Sequence, residues 1–100
     1  MPGFIQIMEF ETARIDELEA LMRKYQEDRG NALLASKATL TEDRNRPGHY
    51  FAIVEFDSHD EAMKNSDDPA TSDMAEKMNA LLNGPRIFHD LDVRTVLHAR

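Results

Sequence analysis

Two segments of this chain alternate like β-strands but are apolar on both faces. The first runs from Phe4 to Phe10 and the second from Tyr50 to Phe56, and successive side chains of a strand point to opposite sides of the sheet. Both sets of side chains are mostly apolar in each segment, so both faces of the sheet need cover. The chain is long enough to supply helices for one face. We expect a second copy of the same protein to cover the other face, packed sheet to sheet.

The composition is that of one globular domain. Of the 100 residues, 41% are hydrophobic and 31% are charged, which predicts a single domain over residues 1–100. The net charge of −7 would repel a phosphate backbone, so no nucleic-acid partner is expected. Cysteine is absent, which excludes disulfides, thiolate catalysis and cysteine-ligated metal sites.

The hydropathy pattern gives no sign of a membrane or of secretion. No apolar run approaches the roughly 18 residues of a membrane span, and no charged-then-apolar leader precedes the first strand. We therefore expect a cytoplasmic protein without a membrane partner.

Glycine and proline mark the points at which the hydrophobic period changes. After the first strand, apolar residues at helical spacing predict an amphipathic helix that starts near Ile15 and stops at Gly30. A looser strand over residues 33–43 and the strand from Tyr50 then form a hairpin across a polar turn.

The second helical region is predicted to break in two. Ser58 and Glu61 have the spacing of a capping box, so a helix begins after Ser58. Asp68 followed by Pro69 is a second cap and first turn. A final strand is predicted over residues 91–97 from its alternation. The order βαββαβ predicts an α+β fold with a four-stranded antiparallel sheet and helices on one face.

The residue types point to no metal and no bound cofactor. The four histidines lack the short spacings at which a helix or strand presents two imidazoles to one metal. Neither a glycine-rich phosphate loop nor a dinucleotide fingerprint is present, and no recognisable nucleophile is found. The six methionines are expected either to fill gaps between helix and sheet or to line an adaptable pocket for a flat organic ligand.

Residues 48–56 resemble the third-strand signature of the RNA-recognition motif. Phe51 matches one of the aromatic residues that stack on bases, but Ile53 stands in the place of the second and His49 in that of the basic residue. The first strand offers Gln6 where an aromatic residue is usual, and the net charge is negative. An RNA binder is therefore the less favoured alternative.

Nearly the whole chain resembles the antibiotic biosynthesis monooxygenase-like family of dimeric α/β barrels, whose subunits are ferredoxin-like. The resemblance implies paired sheets, as the two-faced strands require. Some members of that family oxygenate polycyclic phenols or quinols without metal or flavin, in a pocket between sheet and helices, and others break down haem. The order and spacing of short motifs carry the resemblance: Phe4 to Phe10, Ile15-Asp16-Glu17-Leu18, Phe51 to Phe56, Glu61-Ala62, Asn65 to Thr71, Gly84-Pro85 and Leu91-Asp92-Val93.

The haem-degrading members that the chain resembles rely on an asparagine, a tryptophan and a helix histidine. Tryptophan is absent here and no histidine lies between Ala62 and Asn83, so the resemblance does not imply haem chemistry. The first hypothesis is a homodimeric barrel that binds a small, flat, apolar or phenolic molecule and acts as a cofactor-independent monooxygenase. The alternative is a non-catalytic ligand-binding or regulatory dimer. No catalytic residue is assigned, and the candidates for substrate binding are Tyr25, His49, Tyr50 and Asn65.

Overall fold

The computed structural model describes residues 3–99. Four strands form one antiparallel sheet in the order β2-β3-β1-β4, which confirms the predicted ferredoxin-like α+β fold. Within residues 3–99, no helix is both long and apolar enough to cross a membrane. The elements in chain order are β1 (Phe4–Glu11), α1 (Ile15–Arg29), a 3-10 helix (Gly30–Ala32), β2 (Ala35–Glu42), β3 (His49–Phe56), α2 (His59–Asp67), α3 (Pro69–Asn79) and β4 (Ile87–Asp92).

The helix boundaries follow the predicted local signals. Gly30 ends α1 with a φ of 50°, a left-handed conformation that glycine adopts without steric cost. The Ser58 hydroxyl accepts the backbone N–H of Glu61 at 3.1 Å at the start of α2. The Asp68 carboxylate accepts the N–H of Ala70 at 2.9 Å at the start of α3, so the predicted break in the second helical region is confirmed.

The last strand begins and ends earlier than its alternation predicted. It covers Ile87–Asp92, and residues 93–99 lie outside any strand. Asp92 pairs with Phe4, the first residue of β1, and the Val93 N–H donates to the carbonyl of Gly3 at 3.0 Å. The prediction failed because the alternating residues beyond Val93 have no strand left to pair with.

One face of the sheet packs against all three helices. Leu18 of α1 and Met78 of α3 are buried on one end of this face, and Ala62 of α2 is buried on the other. The buried side chains accordingly form two clusters, the first of Phe10, Leu18, Tyr50, Ala52 and Met78, and the second of Phe4, Phe56 and Ala62.

The other face of the sheet, which we call the open face, is not covered by any helix among residues 3–99. Strand alternation and register place Ile87 and Leu91 there, and these side chains are 51% and 44% exposed. The two-faced character predicted for the first and third strands is therefore present in the fold. The apolar residues of the open face are Ile5, Ile7, Phe51, Ile53, Ile87 and Leu91.

Leu18→Ala is expected to destabilise the fold by about 2–5 kcal/mol, because it empties space in the larger cluster where Leu18 is fully buried. Leu97→Ala is the matched control, since Leu97 is 87% exposed, and its effect should stay within about 0.5 kcal/mol. Urea unfolding at one fixed protein concentration measures both. Equal effects of the two substitutions would contradict the assigned core.

Candidate functional site

A cavity of about 650 Å³ lies between the sheet and the helices. Met8, Leu40 and Met74, which pack against the first buried cluster, line one side of it. Phe56 of the second cluster and Val54, which packs against that cluster, line the other side. The cavity therefore separates the two halves of the core.

The sequence leaves this space open because small or polar residues occupy the middle of the helix-covered face. Gln6 lies between Phe4 and Met8 on β1, and its amide nitrogen donates to the Asp90 carboxylate at 3.0 Å. Ala38 of β2 and Ala75 of α3 also line the cavity, and neither side chain is long enough to fill it.

Three polar side chains form a chain of hydrogen bonds at the helix end of the cavity. The Thr71 hydroxyl donates to the Asn65 side-chain oxygen at 3.4 Å and lies 3.0 Å from the Tyr25 hydroxyl. A hydroxyl has one proton to donate, so Tyr25 donates to Thr71. This direction leaves the amide N–H groups of Asn65 and the lone pairs of Tyr25 free to meet a ligand.

A partly buried ion pair joins α1 and α3, the helices that supply Tyr25 and Thr71. Arg29 at the end of α1 donates to Asp68, which also caps α3. Their side chains are 24% and 23% exposed. The pair fixes α1 against α3, and so brings Tyr25 of α1 to Thr71 of α3.

Arg86 brings a positive charge to the opposite wall of the cavity. Its guanidinium carbon lies 4.9 Å from the centre of the Phe88 ring, and one guanidinium nitrogen is 3.7 Å from the Met8 sulfur. Burial lowers the pKa of Arg86. No carboxylate within residues 3–99 forms a salt bridge with it, so this cation is available to an anionic ligand group.

The structure brings two of the four predicted site residues together. Tyr25 and Asn65 line the cavity and share Thr71 as a partner. Tyr50 lies in the buried core, with its ring stacked at 6.0 Å on Phe10, and burial together with the negative charge of Glu42 raises its pKa. His49 lies on the open face, on the other side of the sheet from the cavity.

Sequence reasoning did not find Arg86. The signal was present, because Arg86 directly precedes β4 and lies two positions before Phe88, a spacing that places two side chains of an extended chain on the same side, and Phe88 pairs with Met8 of β1. Using that signal required the register of β4, which was predicted to begin several residues later.

A second polar group lies at one end of the open face. The His49 ring nitrogens lie 3.0 Å from a Glu9 oxygen and 3.4 Å from a Glu11 oxygen, and His89 lies 3.2 Å from Glu9. Among residues 3–99, no group of three or more potential ligands is arranged to hold a metal ion. We call Glu9, Glu11, His49 and His89 the carboxylate–imidazole cluster.

Solved structures of known proteins share this fold. No protein-family model and no curated protein sequence matches the chain. The architecture nevertheless is that of antibiotic biosynthesis monooxygenase-like proteins, which confirms the predicted resemblance at the level of the fold. One such structure, an antibiotic biosynthesis monooxygenase, is 18% identical with a TM-score of 0.72 over 92% of this chain and 99% of its own.

Two further structures superpose more closely. A point mutant of SnoaB, a cofactor-independent oxygenase from Streptomyces nogalater, has a TM-score of 0.80 at 17% identity, over 97% of this chain and 98% of its own. A conserved protein from Methanosarcina mazei Go1 has a TM-score of 0.79 at 7% identity, over 94% and 95%. Identities this low establish the shared fold and leave activity to be argued from the site.

Asp68→Ala is expected to destabilise the protein by about 1–3 kcal/mol, because it removes a helix cap and leaves Arg29 without its partner. The neighbouring Asp67→Ala is the control, since Asp67 is exposed at the end of α2, and should change stability by less than about 0.5 kcal/mol. Thermal unfolding of the two variants compares them. A harmless Asp68→Ala substitution would show that the ion pair does not hold α1 against α3.

Proposed function

We propose that this chain forms a cytoplasmic homodimer that binds a small, flat, apolar or phenolic molecule in the cavity and acts as a cofactor-independent monooxygenase. The observation that carries the proposal is the cavity itself. Its volume of about 650 Å³ lies within the range of roughly 300–1,000 Å³ typical of small-molecule sites. Its walls expose more apolar than polar surface, and its polar lining includes Arg86 on the sheet side and Tyr25, Asn65 and Thr71 on the helix side.

The lining suits an aromatic ligand. Met8, Met22 and Met74 present thioethers to the cavity, and a thioether makes favourable contacts with aromatic rings while adapting to their outline. The phenyl ring of Phe88 lies under Arg86 at the sheet wall. A flat ring inserted between sheet and helices would contact apolar groups on both sides.

The polar groups are placed to stabilise an anion on such a ring. Arg86 supplies a positive charge from the sheet side, and the free amide N–H groups of Asn65 supply donors from the helix side. Donors fixed in place stabilise developing charge without having to reorganise. A phenol bound there would ionise more readily than in water, and a phenolate is the form that gives an electron to oxygen.

The reaction needs no outside reductant. A phenol with a free ring position is oxidised to a quinone by one molecule of oxygen; one oxygen atom replaces the ring hydrogen as a carbonyl, and the other leaves as water with that hydrogen and the phenolic hydrogen. In this scheme the protein binds the ring, holds its oxygen anion and excludes bulk water. SnoaB, which shares the fold, is a cofactor-independent oxygenase, and this supports the assignment by analogy.

The open face supports the dimer. Four strands spaced about 4.8 Å apart, with about 3.3 Å per residue, give a face of roughly 19 by 25 Å. Two such faces packed together bury on the order of 1,000 Å² when the sheet is treated as flat, and protruding side chains add to this area. The buried area reaches the lower end of the range for specific interfaces. Exposed Ile87 and Leu91 would lose their contact with water in the pair.

A non-catalytic ligand-binding or regulatory dimer is the second candidate. The methionine lining favours it, because adaptable thioethers accept many flat ligands without directing a reaction.

An RNA-binding role is disfavoured by the electrostatics of the open face. Register places Glu9, Glu11 and Glu55 there against the single amine of Lys37, which repels a phosphate backbone.

The enzymatic proposal is tested by incubating the protein with a panel of hydroquinones and polycyclic phenols in oxygenated buffer while absorbance and oxygen uptake are recorded. Arg86→Gln is expected to lower kcat/KM by about 100-fold, because it removes the charge that stabilises the anion. Asn65→Ala should act in the same direction. Arg94→Gln, an exposed arginine beyond β4, is the matched control and should leave turnover unchanged.

The outcomes separate the two candidates. Saturable binding of a panel compound without oxygen uptake would support the non-catalytic dimer. Turnover that persists unchanged in Arg86→Gln would show that Arg86 does not stabilise the anion. Absence of both binding and turnover across the panel would overturn the cavity as a ligand site.

The dimer is tested by sedimentation velocity at micromolar concentration, where a mass twice the 11.5 kDa of the chain is expected. Ile87→Glu should shift the protein to a single chain, because it places a carboxylate in the paired faces. Met63→Glu is the control, since Met63 is a 36% exposed apolar residue on α2, away from the open face. A wild-type protein that sediments as one chain would overturn the dimer.

A further inference from the structure

We propose that the pairing of two copies through the open face is linked to proton binding at the carboxylate–imidazole cluster, so that the dimer is tighter when His49 and His89 are protonated. The inference rests on the proposed dimer and adds a property that the dimer alone does not require. Its basis is the position of the cluster on the surface that the second copy would cover.

The geometry around His49 suits an imidazolium. One ring nitrogen lies 3.0 Å from Glu9 and the other 3.4 Å from Glu11, and the side chain is only 11% exposed. A neutral imidazole has one N–H, so one of its nitrogens would turn a lone pair toward a carboxylate oxygen. The doubly protonated ring donates to both carboxylates. Phe51 packs against the ring edge at 5.5 Å and restricts its rotation.

Glu9 joins the two histidines. Its two oxygens lie 3.0 Å from His49 and 3.2 Å from His89, and its side chain is 18% exposed in the single chain. The hydrogen bond with His49, followed by that with His89, lowers the pKa of Glu9 from its ordinary value of 4.5. Its carboxylate is therefore ionised throughout the range in which histidines titrate.

The lowered pKa also separates the two titrations. A carboxyl group with a depressed pKa stabilises the fold above its ordinary value, and that stabilisation is lost as the pH falls through the depressed value. Loss of the Glu9 charge therefore belongs to pH below about 4.5. A test at pH 5.5–8 reports on the rings.

The neighbouring strands supply no other compensating charge at this end of the open face. On β2 the residues facing this surface are the uncharged Thr39 and Thr41, with Lys37 at the far end opposite Glu55.

The adjoining hairpin turn adds little charge near the carboxylate–imidazole cluster. Its Asp43 is already paired with Arg46 at 2.9 Å. With neutral rings the cluster therefore keeps the two negative charges of Glu9 and Glu11, and two protonated rings cancel them.

A second copy seated on the open face would remove water from Glu9. Burying an uncompensated carboxylate is costly, and burying one that is paired with an imidazolium is much less so. Association should therefore take up protons, and by linkage it should weaken as the pH rises through the histidine range.

The experiment is a dilution series by sedimentation velocity on the full chain at pH 5.5, 6.5, 7.5 and 8. The dissociation constant of the dimer is expected to rise at least about tenfold from the lowest to the highest pH. The double variant His49→Gln, His89→Gln should lose this dependence. His59→Gln, which replaces a histidine on α2 away from the open face, should keep it.

A second variant protects the test against a folding defect. Glu9→Gln removes the negative charge that the rings compensate and keeps a hydrogen-bonding side chain, so the dimer should weaken less at high pH than the wild type. Circular dichroism and urea unfolding check that each variant is folded before its association is compared.

Failure of this inference is distinguishable from failure of the dimer. A wild-type protein that pairs equally tightly at every pH, or a folded double variant that keeps the wild-type pH dependence, would overturn the proton linkage and leave the dimer standing. A single chain at every pH would overturn both.

Discussion

The constraint on which this structure depends is the one-sided cover of its sheet. Three helices pack on one face and none of residues 3–99 forms a helix over the other, although both faces carry apolar side chains. The covered face borders a cavity, and the open face presents isoleucine and leucine side chains to water. Strand alternation fixes which residues lie on which face, so the proposed function assigns the covered face to a small molecule and the open face to a second copy.

The covered face is not packed evenly. Its two buried clusters lie at opposite ends, and between them the chain places Gln6 and short alanine side chains where a continuous core would need bulk. Such a gap forfeits dispersion contacts, and the break between α2 and α3 adds polar groups at its edge. The loss of packing and the placement of Asn65, Thr71 and Arg86 coincide, as is common where a fold gives up stability for a site.

Most of the fold could be predicted from local signals, because Gly30, Ser58 and Asp68 act through their own neighbours. The end of β4 could not, since it depends on where β1 begins. Of the polar residues that line the cavity, Tyr25 and Asn65 were predicted as site candidates, and Arg86 was not, because its orientation follows from the register of β4. His49 and Tyr50 could not both face the cavity, as adjacent residues of a strand point to opposite sides.

The edge strand β4 belongs to both faces. Phe88 lies against the cavity under Arg86, while its neighbours Ile87 and His89 point to the open face. A small molecule in the cavity and a second copy on the open face would therefore both restrain the same six-residue backbone of β4. If binding on one side orders the strand, binding on the other side no longer costs that conformational entropy. Binding in the cavity and binding on the open face would therefore be thermodynamically coupled through β4.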